Sequence, residues 1–149
     1  MDPKSEAFSS AGALAELQHG VLADWQLRAM GLGRRWTRTW ERRGRVVRLS
    51  PRVVALAGAP PTAMRRAAVG VFDAGPGALA SHMTAAWLWR LPGFDLATIE
   101  VTSFRDAARR RQVVARVHRP KQLLPCHVTT IDGIPSHLSA ARSSISRDA

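Results

Sequence analysis

Apolar residues recur at helical spacing three times in the first 43 positions, and glycine closes each run. Residues 11–18 carry Leu14 and Leu17, with Val21 four further on, and His19-Gly20 ends the run. Residues 23–30 turn Leu27 and Met30 to one side, with Asp24 in the first turn, where the helix dipole favours a carboxylate. Gly31-Leu32-Gly33 then forces a turn. In the third run, 34–43, Trp36 and Trp40 are four apart and share a face. At about 100° per residue Arg34 and Arg38 point away from them, and Arg35, Thr37 and Arg42 lie on the flanks. Gly44 stops this helix, and residues 45–49 and 52–56 read as two short β segments around Ser50-Pro51. None of the three helices is long enough to fold singly, but they can pack as a unit beside a β ribbon. The pattern predicts a winged helix-turn-helix over residues 11–56.

Residues 57–61 form a short linker. Thr62 then caps a helix running to about Phe72, with Met64, Ala68, Val71 and Phe72 as its apolar positions. Gly75-Pro76-Gly77 makes a turn, and Ser81 caps a helix through Arg90 that carries Met83, Trp87 and Leu91 on one side until Pro92-Gly93. Segments 99–103, 112–118 and 127–131 are rich in Val, Ile and Thr and predict strands. Asp132-Gly133 between Ile131 and Ile134 signals a tight turn. The arginine run from Arg105 to Arg111 falls between strands, as a loop. The second unit, 62–135, is therefore expected to be a small α+β domain, and the whole chain an α+β protein. Residues 136–149 hold only Leu138 and Ile145 as large apolar residues, too few to offset ordering, and predict a disordered tail.

Charge sharpens this picture. The net charge is +11 over 149 residues, and all but Lys4 and Lys121 of the 22 cations are arginine. Residues 34–52 hold eight arginines against Glu41, residues 105–149 hold nine cations against three acids, and the stretch between them is neutral. Two basic blocks of this kind are the footprint of a polyanion partner. The helix at 34–43 can enter a major groove with Arg34, Arg35, Arg38 and Arg42, with Thr37 as a base contact, while Arg45, Arg48 and Arg52 hold backbone through the wing. Trp36 and Trp40 could instead stack on single-stranded bases, but at helical spacing opposite the arginines they read as core.

Other chemistry is sparse. Ser81 and His82 are neighbours, and neighbours on a helix do not face one another, so they predict no nucleophile–base pair. His118, Cys126 and His127 could approach across strands, yet Cys126 and His127 alternate faces and no fourth ligand has metal spacing. Asp73, Asp95, Glu100, Asp106 and Asp132 are scattered rather than clustered as metal-dependent nuclease chemistry needs. The residues therefore predict no enzyme, no cofactor and no metal. Residues 1–10 lack the basic and apolar regions of a secretory signal, no run reaches the length of a membrane span, and the single cysteine makes no internal disulfide. A cytoplasmic protein is expected.

The run His19-Gly20-Val21-Leu22-Ala23, then Gln26-Leu27, Gly31-Leu32, Arg34-Arg35 and Arg42-Arg43-Gly44-Arg45 resembles the N-terminal domain of AbiEi-family antitoxins from type IV toxin–antitoxin systems. The resemblance continues through Leu79-Ala80-Ser81-His82, Ala85-Ala86, Leu88-Trp89, Ile99-Glu100-Val101-Thr102, Val117-His118-Arg119 and Thr129 to Pro135, covering roughly residues 11–135. It implies a winged helix that binds double-stranded DNA at the promoter of its own operon, and a second domain associated with neutralising a nucleotidyltransferase-like toxin. There are two departures. Gly33 stands where the family often has serine, and the helix expected after Ile134-Pro135 is replaced by the polar residues 136–149. The latter implies a member truncated before the endonuclease-like domain of many relatives. An RNA- or single-strand-binding module, or the remnant of an endonuclease-like protein lacking its catalytic domain, are the alternatives.

Overall fold

The first helix, α1 (Pro3–Leu17), starts eight residues earlier than its apolar spacing suggests. Asp2 caps it by accepting from the Lys4 N–H at 3.3 Å, and Pro3 occupies the first turn, where its missing N–H is no loss. Its inward side is Ala11 and Ala15 with Phe8 and Leu14 beside them, while Leu17 is 70% exposed. Leu17 fails as a core position because Val21 no longer belongs to the helix. His19 (φ 62°) and Gly20 (φ 80°) turn the chain, and Val21 enters an extended segment. In the computed structural model the described residues are 2–103, 114–119 and 128–137.

That segment, β1 (Val21–Ala23), is followed by α2 (Asp24–Ala29), α3 (Arg34–Arg42), β2 (Val46–Ser50) and β3 (Val53–Leu56). The strands form an antiparallel sheet in the order β1-β3-β2, with Leu22 opposite Val54 and a register shift between Arg48 and Ser50. At the start of α2 the cap is made from inside: Gln26 Oε1 accepts from the Ala23 N–H at 3.0 Å, and the Gln26 and Gln18 amides exchange hydrogen bonds at 2.7 and 3.0 Å. Both glutamines are buried, and this reciprocal pair satisfies them.

Helix α4 (Ala63–Asp73) begins as its sequence requires, with Thr62 Oγ1 accepting from the Arg65 N–H at 3.1 Å. Residues 67–72 are all buried, so α4 is covered on more than one side. One side meets the three-stranded sheet. The other meets a second sheet built from β4 (Leu79–Ala80), β5 (Glu100–Thr102), β6 (Arg116–His118), β7 (Val128–Ile131) and β8 (Ile134–His137) in the order β6-β5-β4-β8-β7. The central strand β4 runs antiparallel to β5 and parallel to β8. Ile131 pairs with Ile134 across a two-residue turn in which Asp132 (φ 47°) and Gly133 (φ 79°) are both left-handed, as a tight hairpin demands.

Several expectations are corrected. Helix α5 (His82–Leu88) stops before Arg90, and it buries Thr84, Ala85, Ala86 and Leu88 while Met83 is 43% exposed. Its buried side is set by β5 beneath it rather than by its largest residues. Ser136 and His137, expected in the disordered tail, belong to β8, and Ser136 is fully buried because β8 pairs with β4 on one edge and β7 on the other. Residues 138–149, the Arg105–Arg111 run, Cys126 and His127 lie outside the described residues.

The chain is α+β, and its two expected domains share a core. Residues alternate along the three-stranded sheet. Val21, Ala23, Val53 and Ala55 join α4 and the second sheet, whereas Leu22, Val46 and Val54 join Ala11, Leu27, Leu32 and Trp40. Polar contacts cross the same boundary: Trp25 Nε1 donates to the Phe72 carbonyl at 2.9 Å, and the Ser50 hydroxyl to Asp73 Oδ1 at 2.6 Å. His19 Nε2 lies 2.7 Å from the Asp132 carbonyl. Among the described residues no helix is long and apolar enough to cross a membrane.

Two outcomes follow for stability. Gly133→Ala should cost at least about 2 kcal/mol, because it strains a left-handed residue and drives a methyl into the Leu17 carbonyl. Gly77→Ala, at φ +79° but with open space around it, should cost clearly less in the same urea titration. A fragment ending near Pro60 should fail to melt cooperatively, since Val21, Ala23, Val53 and Ala55 would face water.

Candidate nucleic-acid interface

Gly33 opens α3 with no side-chain cap, leaving backbone N–H groups and the positive end of the helix dipole unopposed beside Arg34. Arg34, Arg35, Arg38 and Arg42 are all exposed along the helix. The opposite side holds Trp36 and Trp40 against α1: Phe8 meets Trp36 edge-on at 5.5 Å between ring centres and Trp40 at 4.7 Å. Lys4 Nζ sits 5.4 Å over the Trp36 ring. These contacts make the tryptophans packing residues, with Trp40 only 9% exposed.

Between α2, α3 and the turn of the β2–β3 hairpin runs a groove of about 900 Å³, lined by Arg28, Arg34, Arg38, Arg48 and Arg52. Two carboxylates, Asp24 and Glu41, also face it. Arg48 holds both, at 3.2 Å to Asp24 and 2.8 Å to Glu41, and its Nη1 donates to the Pro51 carbonyl at 3.1 Å. Partial burial alone would lower the Arg48 pKa, but the hydrogen bonds and charge of Asp24 and Glu41 outweigh it and raise the pKa above its ordinary value. The guanidinium thereby offsets the negative charge of both acids within the groove.

The structure sorts the expected arginines. Arg34 and Arg38 line the groove, and Arg35 and Arg42 extend the same basic face, Arg42 Nη2 lying 3.5 Å from Thr39 Oγ1. Arg52 is half-buried, its Nη1 donating to the Asp73 carbonyl at 3.1 Å and its backbone N–H to Asp73 Oδ1 at 3.1 Å, so it braces α4 as well as facing the groove. Three assignments change. Thr37 lies in the groove wall but is only 3% exposed, so it shows too little surface to be the base contact expected of it. Arg48 is engaged by Asp24 and Glu41 rather than free to hold backbone. Arg45 lines a different cleft, on the tryptophan side of α3. Arg28 was missed by sequence reasoning, hidden in an acidic segment. Its signal is the four-residue spacing from Asp24, which puts both on one helix face.

Away from the groove, Ser81 and His82 do face each other, with Ser81 Oγ 3.1 Å from His82 Nδ1. The expectation that they point apart assumed helical dihedrals, and His82 is left-handed at φ 48°. The His82 ring stacks on His118 at 4.0 Å, and His118 Nε2 reaches Glu100 Oε1 at 3.3 Å. Ser81 itself is 1% exposed. Among the described residues no three His, Cys, Asp or Glu side chains are placed to hold a metal ion.

No family model matches the chain, and no curated protein matches it.

Trp40→Ala should lower folding stability by roughly 3–5 kcal/mol, the usual loss for a large aromatic removed from a core. Thermal unfolding beside the wild type checks this. A normally stable variant would return Trp40 to the role of a stacking surface.

Proposed function

We propose that this chain binds double-stranded DNA and regulates transcription, with residues 11–56 acting as a winged helix-turn-helix. The observation that carries this reading is the basic groove between α2, α3 and the hairpin, in which Arg48 occupies both carboxylates found among the described residues. The order α1, β1, α2, α3, β2, β3, with β1 closing the sheet beside β3, supports the winged-helix assignment. In this reading α3 enters the major groove, about 12 Å wide, with Arg38 at the base edges and Arg34, Arg35 and Arg42 on the flanking phosphates. Arg28 and Arg52 approach the backbone on the other side. Trp36 and Trp40 pack on Phe8 on the side of α3 away from the basic groove, so neither ring lies where a strand held by the groove arginines could stack on it, which favours duplex over single-strand binding.

The antitoxin role rests on the resemblance over residues 11–135. It makes the DNA target the promoter of the chain's own operon and the functional partner a nucleotidyltransferase-like toxin. Growth rescue on co-expression with such a toxin, encoded beside this chain, tests that role separately from DNA binding.

With about five phosphate contacts, log K against log salt concentration should fall with a slope of about −4 to −5. A slope near zero removes the DNA reading. Arg38→Ala should cost about 1–3 kcal/mol on a specific site and flatten base preference. Arg48→Met should weaken binding to all sequences, and adding Asp24→Asn with Glu41→Gln should recover much of the loss. A direct phosphate contact by Arg48 predicts no such recovery.

A further inference from the structure

On the far side of α3 from the basic groove lies a second cleft, of about 460 Å³. Its walls are Phe8, Leu22, Trp36, Trp40 and Leu56, and its rim carries Arg43 and Arg45. We propose that this cleft binds a small carboxylate with an aromatic or similarly rigid apolar body.

Three observations point there. The first is the opening in α1. Gly12 lines the cleft in the middle of a helix, where alanine is the better helix former. A Cβ at this position would meet nothing within 4 Å, so the glycine is not forced by crowding or by backbone conformation, and it leaves this wall bare. The second is charge. Among the described residues neither the Arg43 nor the Arg45 guanidinium has a hydrogen-bond or ion-pair partner, and no carboxylate lines the cleft. Arg48, a short distance along the chain, is held by two acids. The unpartnered pair on either side of Gly44 therefore offers planar, multiply donating groups that match one carboxylate. The third is the absence of other polar handles. The single hydroxyl in the lining, on Thr39, already donates to the Arg35 carbonyl at 2.9 Å.

Together these select the ligand class. An indole and a phenyl ring suit a flat apolar body, and the volume falls within the range of small-molecule sites, roughly 300–1,000 Å³. A sugar, or a base with several polar edges, would leave those groups unpaired against apolar walls. An inorganic anion would use the rim and leave the cleft empty. One anionic group at the mouth with an apolar remainder satisfies both regions.

The full-length chain can be titrated by calorimetry with 2-naphthoate, and in parallel with 2-naphthamide as its uncharged counterpart. 2-Naphthoate should bind once per chain with a Kd below about 1 mM, and the amide about tenfold or more weakly. Gly12→Leu should fill the cleft and weaken 2-naphthoate by about tenfold or more, with a melting temperature no lower than that of the wild type. Arg43→Gln with Arg45→Gln, both on the surface, should bring the acid down to the affinity of the amide. No saturable binding by the wild type, equal affinity for acid and amide, or unchanged binding by Gly12→Leu would each overturn the proposal. A dimer dispersed by Gly12→Leu, with no naphthoate heat, would assign the cleft to a second copy of the chain and overturn it too. None of these measurements involves DNA, so they stand or fall independently of the DNA reading.

Discussion

The described fold is organised around a small antiparallel sheet whose strands β1 and β3 are buried on both faces. Val21, Ala23, Val53 and Ala55 point one way and Leu22, Val46 and Val54 the other, by the simple alternation of side chains along a strand. One face receives the three helices that carry the basic surface, and the other receives α4. Without β1 the hairpin β2–β3 would be a two-stranded ribbon of marginal stability with an open edge. With β1 in place the sheet becomes the common wall of two cores, and the direction of α3 is set by packing on both sides.

Electrostatics are arranged with the same economy. Acids weaken the field of a basic groove, yet Asp24 favours the first turn of α2 and Glu41 is the penultimate residue of α3. Arg48 crosses from the hairpin to both, tying β2 to two helices. Its exposure, about a third of the side chain, keeps the pairs modest in strength. What matters is that two negative charges are cancelled where they would count most. Asp73 acts similarly at the other junction, gathering the Ser50 hydroxyl, the Arg52 N–H and, through its carbonyl, the Arg52 guanidinium.

Features with a local cause were legible in the sequence. The tryptophan and arginine faces of α3, the hairpin at Ser50-Pro51, the Thr62 cap and the Asp132-Gly133 turn each depend on residues within a few positions of one another. Strands β1 and β4 were not legible, because two or three residues carry no period and are extended only through pairing with distant partners. Nor was the start of α1, where Asp2-Pro3 is a sound cap ahead of a polar stretch that hides the helix. On α3, the exposed positions of Arg34, Arg35, Arg38 and Arg42 could be read from the spacing alone. It could not show that Thr37 would be buried, that Arg48 would be claimed by Asp24 and Glu41, or that Arg45 would turn to the other side. Each of those depends on tertiary neighbours. The Ser81–His82 contact escaped for a different reason, a left-handed dihedral that a non-glycine residue seldom adopts.

The double-sided sheet also dictates an order of assembly. The β2–β3 hairpin closes across its own turn, whereas Val53 lies thirty residues after its partner Ala23, and Ser136 fifty-six after Ala80. Loop closure grows slowly with length, so the longer pairing is only about half a kcal/mol harder to close than the shorter one. Its real obstacle is sequence order. Val21 and Ala23 have no cover until α4 arrives, and Ile134, which completes that core, belongs to one of the last strands. On a ribosome, the segment bearing the basic groove would emerge with one face of its sheet bare until α4 followed, and that core would stay incomplete until Ile134 arrived.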